Sequence, residues 1–355
     1  MNLKTIRAKI AKHNVLGFLA SLKLTTFCLF FLGVLTFWGT IYQVNNGLYL
    51  AQERFFNSFF IPVGFLYLPS AKLIMCVLFV NLVSALVMRF NFTPKNLGLL
   101  VLHFGLIILL ISGFVTGFSK EYFLTVKEGE ISNLAEDYYK WNLIISSSNS
   151  KKIIPLSKLK NQSEIQLDSP QKIIRINKVF KNAQLFDTPF AGRILKEMPL
   201  EKDYEKNIPG LIMQFDNQEI TLEGLNQQIE TLPEDNSVSF LLSRKSENLP
   251  FSLELVDVSR ELHPGTEIAK SYSSKVKLRS DIVRDFEISM NKPLRTGLYT
   301  VYQASYGINE DGEEFSVFAV VRNLNYYLPY IGSLLASLGL WINFIGMFLK
   351  RRIKQ

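Results

Sequence analysis

Cysteine is almost absent: the 355 residues hold two, Cys28 and Cys76. Both fall inside long apolar runs, so the rest of the chain has neither a disulfide framework nor a Cys-x-x-Cys, and a thioredoxin-type thiol-disulfide role is excluded. Histidine is equally scarce, and the three present, His13, His103 and His263, are too scattered for metal-ligand spacing. No Gly-rich phosphate loop and no Gly-x-Ser-x-Gly turn occurs. Acidic residues are missing from both ends: of 31 Asp+Glu, Glu53 alone lies outside residues 120–326, whereas 13 of the 39 Lys+Arg do. The formal charge of +8 therefore belongs to the ends, and the middle, with 26 Lys+Arg against 30 Asp+Glu, is mildly acidic. A nucleic-acid surface needs its positive charge on one folded face, so no nucleic-acid partner is expected.

What is abundant is apolar sequence. The chain is 48% hydrophobic, with a mean hydropathy of +0.15. Four runs, Leu24 to Tyr42, Leu73 to Met88, Leu97 to Phe118 and Tyr326 to Leu349, approach the roughly 20 apolar residues that cross a bilayer as a helix. Basic residues flank them in three groups: Lys4, Arg7, Lys9, Lys12 and Lys23; Arg89 and Lys95; Lys350, Arg351, Arg352 and Lys354. Under the positive-inside rule all three fall on the cytoplasmic side. The expected fold is a polytopic α-helical membrane protein of the cytoplasmic (inner) membrane. A basic tail (1–23) precedes three transmembrane helices (24–118) with a short outer loop (43–68), then a large extracytoplasmic, periplasmic domain (119–325), a fourth helix (326–349) and a basic tail (350–355). The first run is too long for a signal-peptide core and lacks a small-residue cleavage site, which makes it an uncleaved anchor. Trp38, Tyr42, Tyr326, Tyr327 and Tyr330 sit where an outer aromatic belt belongs. The loop segment LYLAQERFFNSFF has two readings: it lies flat on the bilayer, or it packs beneath the external domain.

Between Glu121 and Asn325 the sequence breaks into YFLTV, WNLIIS, KIIRINKVF, GLIMQF, SVSFLLS, FSLELVDV, SKVKLR, FEISM, LYTVYQASY and FSVFAVV. Short alternating or β-branched runs divided by turn residues predict a mainly antiparallel β domain, one sandwich or two small ones. The proline-bearing stretch Leu185 to Pro209 predicts a helix or a long surface loop between subdomains. No nucleophile-base pair stands out, and the domain reads as a binding surface rather than an enzyme.

His103 is the one ionisable side chain in LGLLVLHFGLIILLISGFVTGF, where an unpaired polar group costs several kcal/mol. The side chains on its face, Leu99, Leu106, Ile107 and Leu110, offer no partner, so one is expected from another helix, another chain or a cofactor. At about 1.5 Å per residue, His103, Asn81 and Asn343 each lie roughly 10 to 12 Å from the basic flank of their run. Two readings stay open. A His–Asn hydrogen bond glues helices together, worth about 1 kcal/mol, or a cofactor pocket exists in which His103 ligates iron and the amides line it. His13, in the basic tail, and His263, before Pro264-Gly265, read as exposed or structural. Gly113-x-x-x-Gly117, Gly332-x-x-x-Ala336 and Ser333-x-x-x-Ser337 permit close helix packing.

Several local stretches are familiar in combination: SLKLTTFCLFFLGVLTFWGTIYQ, the His-bearing third run with EYFLTVKEGE after it, HPGTEIAKSYSSKV, and ISMNKPLRTGLYTVYQASYG. The last carries an Asn-x-Pro-Leu, Gly-Tyr, Tyr-Gln-x-Ser-Tyr pattern at Asn291, Pro293, Leu294, Gly297, Tyr299, Tyr302, Gln303, Ser305 and Tyr306. With the arrangement of three spans, a domain and one span, this resembles the ResB/CcsB family of System II cytochrome c biogenesis. The resemblance implies a non-catalytic or co-catalytic membrane subunit of a cytochrome c haem lyase. It would work with a CcsA-type partner to carry haem across the membrane for attachment to Cys-x-x-Cys-His of apocytochrome c. The family's membrane histidine falls on His103, which would give one axial ligand to a b-type haem in transit, the partner giving the other. Trp38, Trp141 and Trp341 are too scattered for the partner's tryptophan-rich motif. The chain departs from the family where Arg322-Asn323-Leu324-Asn325 replaces an Arg-Asp-Pro-Gly turn, and its external domain is short. The alternative is a scaffold for envelope assembly with no haem role.

Overall fold

The computed structural model describes residues 14–90, 93–117, 119–147, 150–168, 171–188, 192–216, 218–224, 230–231, 238–266, 269–309 and 311–353. Lys4, Arg7, Lys9, Lys12, His13 and Lys354 lie outside them. The chain divides into two compact units, Met1–Ser119 with Asn323–Gln355, and Lys120–Arg322.

The first unit is helical. A short helix α1 (Asn14–Leu19) precedes α2 (Leu22–Asn46), whose cap Ser21 accepts a hydrogen bond from the Lys23 backbone. After α3 (Leu48–Gln52) and a π-helical turn at Glu53–Asn57 comes a hairpin, β1 (Phe60–Val63) with β2 (Leu66–Pro69). Then follow α4 (Ala71–Arg89), α5 (Leu97–Thr116) and, from beyond the second unit, α6 (Leu328–Ile353). Four of these helices, over Leu22–Asn46, Ala71–Met88, Leu97–Thr116 and Leu328–Leu349, are long and apolar enough to cross a membrane. They mark the chain as a membrane protein. The segment LYLAQERFFNSFF folds onto the end of α2: Phe55 is fully buried, edge-on to Trp38 at 5.3 Å and to Tyr42 at 5.4 Å.

The second unit is antiparallel β throughout its named ladders. In chain order its strands are β3 (Lys120–Lys127), β4 (Ile131–Ser147), β5 (Ser150–Pro155), β6 (Ser163–Asp168), β7 (Gln171–Phe180), β8 (Ala183–Thr188), β9 (Gly192–Glu197), β10 (Gly210–Phe215), β11 (Gln218–Glu223), β12 (Glu230–Thr231), β13 (Val238–Leu262), β14 (Ala269–Arg279), β15 (Arg284–Ser289), β16 (Leu294–Thr296), β17 (Tyr299–Ile308) and β18 (Glu314–Arg322). Two very long strands, β4 with 17 residues and β13 with 25, run side by side through two lobes. One end of the pair joins β3, β14 to β18 and a core of Leu124, Val126, Leu253, Leu255, Val276, Phe318 and Val320. The other end packs on a separate sheet, ordered β11-β10-β7-β6, over Leu143, Ile145, Ile174, Ile176, Met213, Phe215 and Phe240. Of the two expectations, one sandwich or two small ones, the structure is nearer the second: a pair of lobes with separate cores on a shared spine. Pro250 is tolerated in β13 because it falls where pairing to β4 jumps from Asn248 to Leu253, so no ladder bond is asked of it.

The stretch Leu185 to Pro209 is neither a long helix nor a bare loop. Its first part belongs to the β8–β9 hairpin, with Leu185 opposite Leu195 packing toward Phe180, Ala183 and Ile212, and among its described residues only Tyr204–Lys206 make a helical turn, of 3-10 type. Alternation in AQLFDT and GRILKE, not the surrounding prolines, decides the structure.

Across β13 and β14, Glu254 accepts two bonds from Arg279, from Nε at 2.9 Å and Nη2 at 2.5 Å, and lies 3.6 Å from Lys277. The Arg279 bonds first, and Lys277 after them, hold the Glu254 carboxyl below its ordinary value. A depressed carboxylate contributes stability that is complete above the unfolded value, about 4.3, and is lost as pH falls through the folded one. The melting temperature of Arg279→Gln in detergent is accordingly expected to trail the wild type at neutral pH, the gap closing only as pH falls below about 4.3 and through the lower folded value.

Candidate functional site

The helix α5 starts after Pro94, at the first position of a 3-10 turn, and carries His103 about 9 Å along its axis. The imidazole is half-buried. Its Nδ1 lies 2.6 Å from the Leu99 carbonyl oxygen one turn back, and its ring meets Phe90 edge-on at 5.9 Å. The partner missing from the side-chain pattern is therefore a backbone carbonyl of its own helix. A carbonyl only accepts, so Nδ1 carries the proton in this contact, and a neutral imidazole in that tautomer has its lone pair on Nε2. That is the tautomer in which Nε2 ligates a metal while Nδ1–H is held by a second group.

Asn81 is spent elsewhere. Its side chain is 1% exposed; Nδ2 donates to the carbonyls of Leu19 (2.6 Å) and Ser21 (3.0 Å), and Oδ1 accepts from Thr25 Oγ1 at 2.6 Å. At the break between α1 and α2 the Asn81 amide of α4 gives the Leu19 carbonyl a donor and adds one to the Ser21 carbonyl, which also accepts from the Thr25 nitrogen at 3.3 Å. Asn343 stands on the opposite flank of α5: a Cβ on Gly98 would come within 2.5 Å of the Asn343 backbone nitrogen. Helical geometry puts His103 roughly 140 to 200° round α5 from Gly98 and Gly105. The three polar residues that share a depth do not share a face, and neither amide hydrogen-bonds His103.

The packing of α5 on α6 is built from small residues at seven-residue spacing. Gly98, Gly105 and Ser112 of α5 face, in antiparallel order, Gly339, Gly332 and Asn325. A Cβ on Gly105 would stand 2.4 Å from the Ala336 nitrogen and 2.7 Å from the Gly332 carbonyl oxygen, and one on Gly339 would stand 2.3 Å from the Leu102 nitrogen. Gly113 has nothing within 4 Å of such a Cβ, and Ser333 and Ser337 are exposed. Of the spacings that invited attention, only Gly332 and Ala336 belong to the seam. Asn325, which stands where the family turn is replaced, is 8% exposed and closes the seam by donating to the Ser112 carbonyl (2.9 Å) and hydroxyl (3.2 Å).

In the β unit, Asn291 to Tyr306 form the turn, β16 and β17. Gly297 takes φ +54° in the connection between the two strands, and Leu294 is buried. A bulge separates Gln303 from Ser305. Tyr272 donates to the Ala304 carbonyl there (2.9 Å), and Gln303 Nε2 donates to the Ser305 carbonyl (3.2 Å) and reaches Ser316 Oγ (3.4 Å), itself 2.7 Å from Ser274 Oγ. These polar groups are internal and stabilise the bulge. His263 is exposed, and its carbonyl closes a turn to Thr266. Among the described residues no three His, Cys, Asp or Glu side chains are grouped to hold a metal ion.

No curated protein matches the chain. The ResB-like family matches residues 93–326, about two thirds of the chain, a region that holds His103, α5 and the whole β unit and leaves out Asn81 and Asn343. The chain belongs to the ResB-like family, and with it to cytochrome c biogenesis.

Proposed function

We propose that the protein is the haem-handling membrane subunit of a System II cytochrome c synthase, paired with a CcsA-type membrane protein, both termini cytoplasmic and the β unit outside. The observation that carries this reading is the state of His103. Its Nδ1–H is fixed on Leu99, and among the described residues nothing hydrogen-bonds its Nε2, on a half-buried helix face turned away from the α5–α6 seam. Haem is the cargo, and its iron is what a neutral imidazole binds. His103 would supply one axial ligand, and in this reading the CcsA-type partner supplies the second. Leu99 and Phe90 orient the ring, and Asn81 acts through packing by fixing α4 to the α1–α2 break. The β unit offers a surface for apocytochrome c.

The test is a spectrum. The chain, co-purified in detergent with its CcsA-type partner, should show reduced and oxidised haem bands that His103→Ala loses and added imidazole restores. A well-folded complex with no haem, or bands indifferent to His103, would leave a scaffold for envelope assembly as the better account.

A further inference from the structure

We propose that the β1–β2 hairpin is an in-plane lipid anchor, its outer face among acyl chains at the bilayer interface and Arg54 and Lys72 at its base on the phosphates of anionic phospholipid. From Phe59 to Pro69 there is no charged residue. Register puts Ile61 opposite Leu68 and Val63 opposite Leu66, and Phe60 opposite Pro69 and Pro62 opposite Tyr67 on the other face. Ile61 is fully buried in the core of the helical unit, with Val63 and Leu68 packed on it. The other face and the tip are bare: Phe65 is 90% exposed and Tyr67 73%. Such a patch is an interaction surface, since apolar area left in water forgoes about 25 cal/mol per Å². The hairpin is also held rigidly, for Ser70 donates from its nitrogen to the Phe59 carbonyl (3.0 Å) and from its hydroxyl to the Ser58 carbonyl.

Charge points to lipid. Arg54 donates to the Pro62 carbonyl at 2.9 Å and lies 5.0 Å from the Tyr42 ring centroid, while its Nε is buried with no partner among the described residues. Lys72 reaches the Asn57 carbonyl at 3.4 Å and lies 5.1 Å from the Phe59 ring centroid. Neither cation has a carboxylate within 4.0 Å among the described residues. Both sit at one end of the helices, Arg54 against the last turns of α2 and Lys72 in the first turn of α4. Two cations without counter-ions beside aromatic rings and an apolar wedge match the phosphate level of a bilayer, with the wedge just below it.

A benzophenone analogue of phenylalanine at position 65, in the full chain in its own membranes, reads the occupant directly, and the exposure of Phe65 leaves the fold untouched. The expected product is the chain plus the mass of one phospholipid. A protein adduct, or no lipid adduct, overturns the proposal. Native mass spectrometry from nanodiscs of mixed phosphatidylglycerol and phosphatidylcholine tests the phosphate contacts: the wild type is expected to retain phosphatidylglycerol preferentially, and the double variant Arg54→Gln, Lys72→Gln to lose that preference. Equal preference in both proteins overturns the headgroup assignment.

Discussion

Gly105→Leu is expected to leave little of the chain folded, whereas Gly113→Ala, on the same helix, is expected to fold as fully as the wild type and to melt no lower. Position 105 faces backbone on the partner helix, with the Ala336 nitrogen and Gly332 carbonyl already inside 3 Å of where a Cβ would be. Overpacking a core costs typically 1–3 kcal/mol when side chains can move aside, and here the obstacles are peptide groups that cannot. The α5–α6 pair must separate, which also strips the Asn325 side chain from Ser112. Asn325 is buried in that contact, so its amide loses partners that it has nowhere else to find. Gly113 has open space around it, so alanine adds helix propensity worth about 0.5–1 kcal/mol at no steric cost. The fraction recovered as a monodisperse peak from detergent, with its melting temperature, measures both. If Gly105→Leu matched the wild type, the antiparallel seam would be refuted.

Long apolar runs declared the four helices because hydrocarbon demands length and apolarity and little else. The glycine seam was harder to read. Four-residue spacings are the familiar sign of close helix packing, yet Gly98, Gly105 and Ser112 repeat every seven, the period of helices crossing at a shallow angle. That period was present in the sequence, as was its match in Asn325, Gly332 and Gly339. In the β unit, SKVKLR and FSVFAVV lie within β14 and β18: the first alternates polar and apolar residues, and the second is a mostly apolar run buried on both faces from Ser316 to Val320. The first half of β4, ISNLAEDYYK, was hidden: its charges and tyrosines look like loop until Glu136 and Asp137 are seen opposite Ser246 and Lys245 of β13. SVSFLLS and FSLELVDV looked like two strands, because RKSENLP between them carries turn chemistry that a neighbouring strand overrides. A count of residues from the basic flanks gave His103, Asn81 and Asn343 a common depth, but depth says nothing about azimuth. Only the packing shows Asn81 turned to the α1–α2 break and Asn343 beyond the far side of α5.

Replacing His103 and replacing Asn81 should therefore fail in different ways. The Leu99 carbonyl also belongs to the backbone ladder of α5, so loss of the imidazole removes one extra bond, about 0.5–1.5 kcal/mol, too little to unfold the chain. His103→Ala is expected to accumulate normally and yet abolish c-type cytochromes in cells with no other maturation route. His103→Asn is expected to do the same, because a side-chain amide can still bond a helical carbonyl but is a poor substitute for an imidazole nitrogen on iron. Exogenous imidazole should rescue the alanine variant. Asn81→Ala instead removes the three hydrogen bonds that tie α4 to Leu19, Ser21 and Thr25, each worth about 0.5–1.5 kcal/mol. It lowers the amount of protein, while cytochrome formed per molecule that remains stays near the wild-type value. Haem staining of membranes, normalised to the immunoblotted level of this chain, separates the two. Normal maturation in His103→Asn would remove the ligand and leave the imidazole as a helix-bound polar group, whereas a loss per molecule in Asn81→Ala would extend the functional surface to α4.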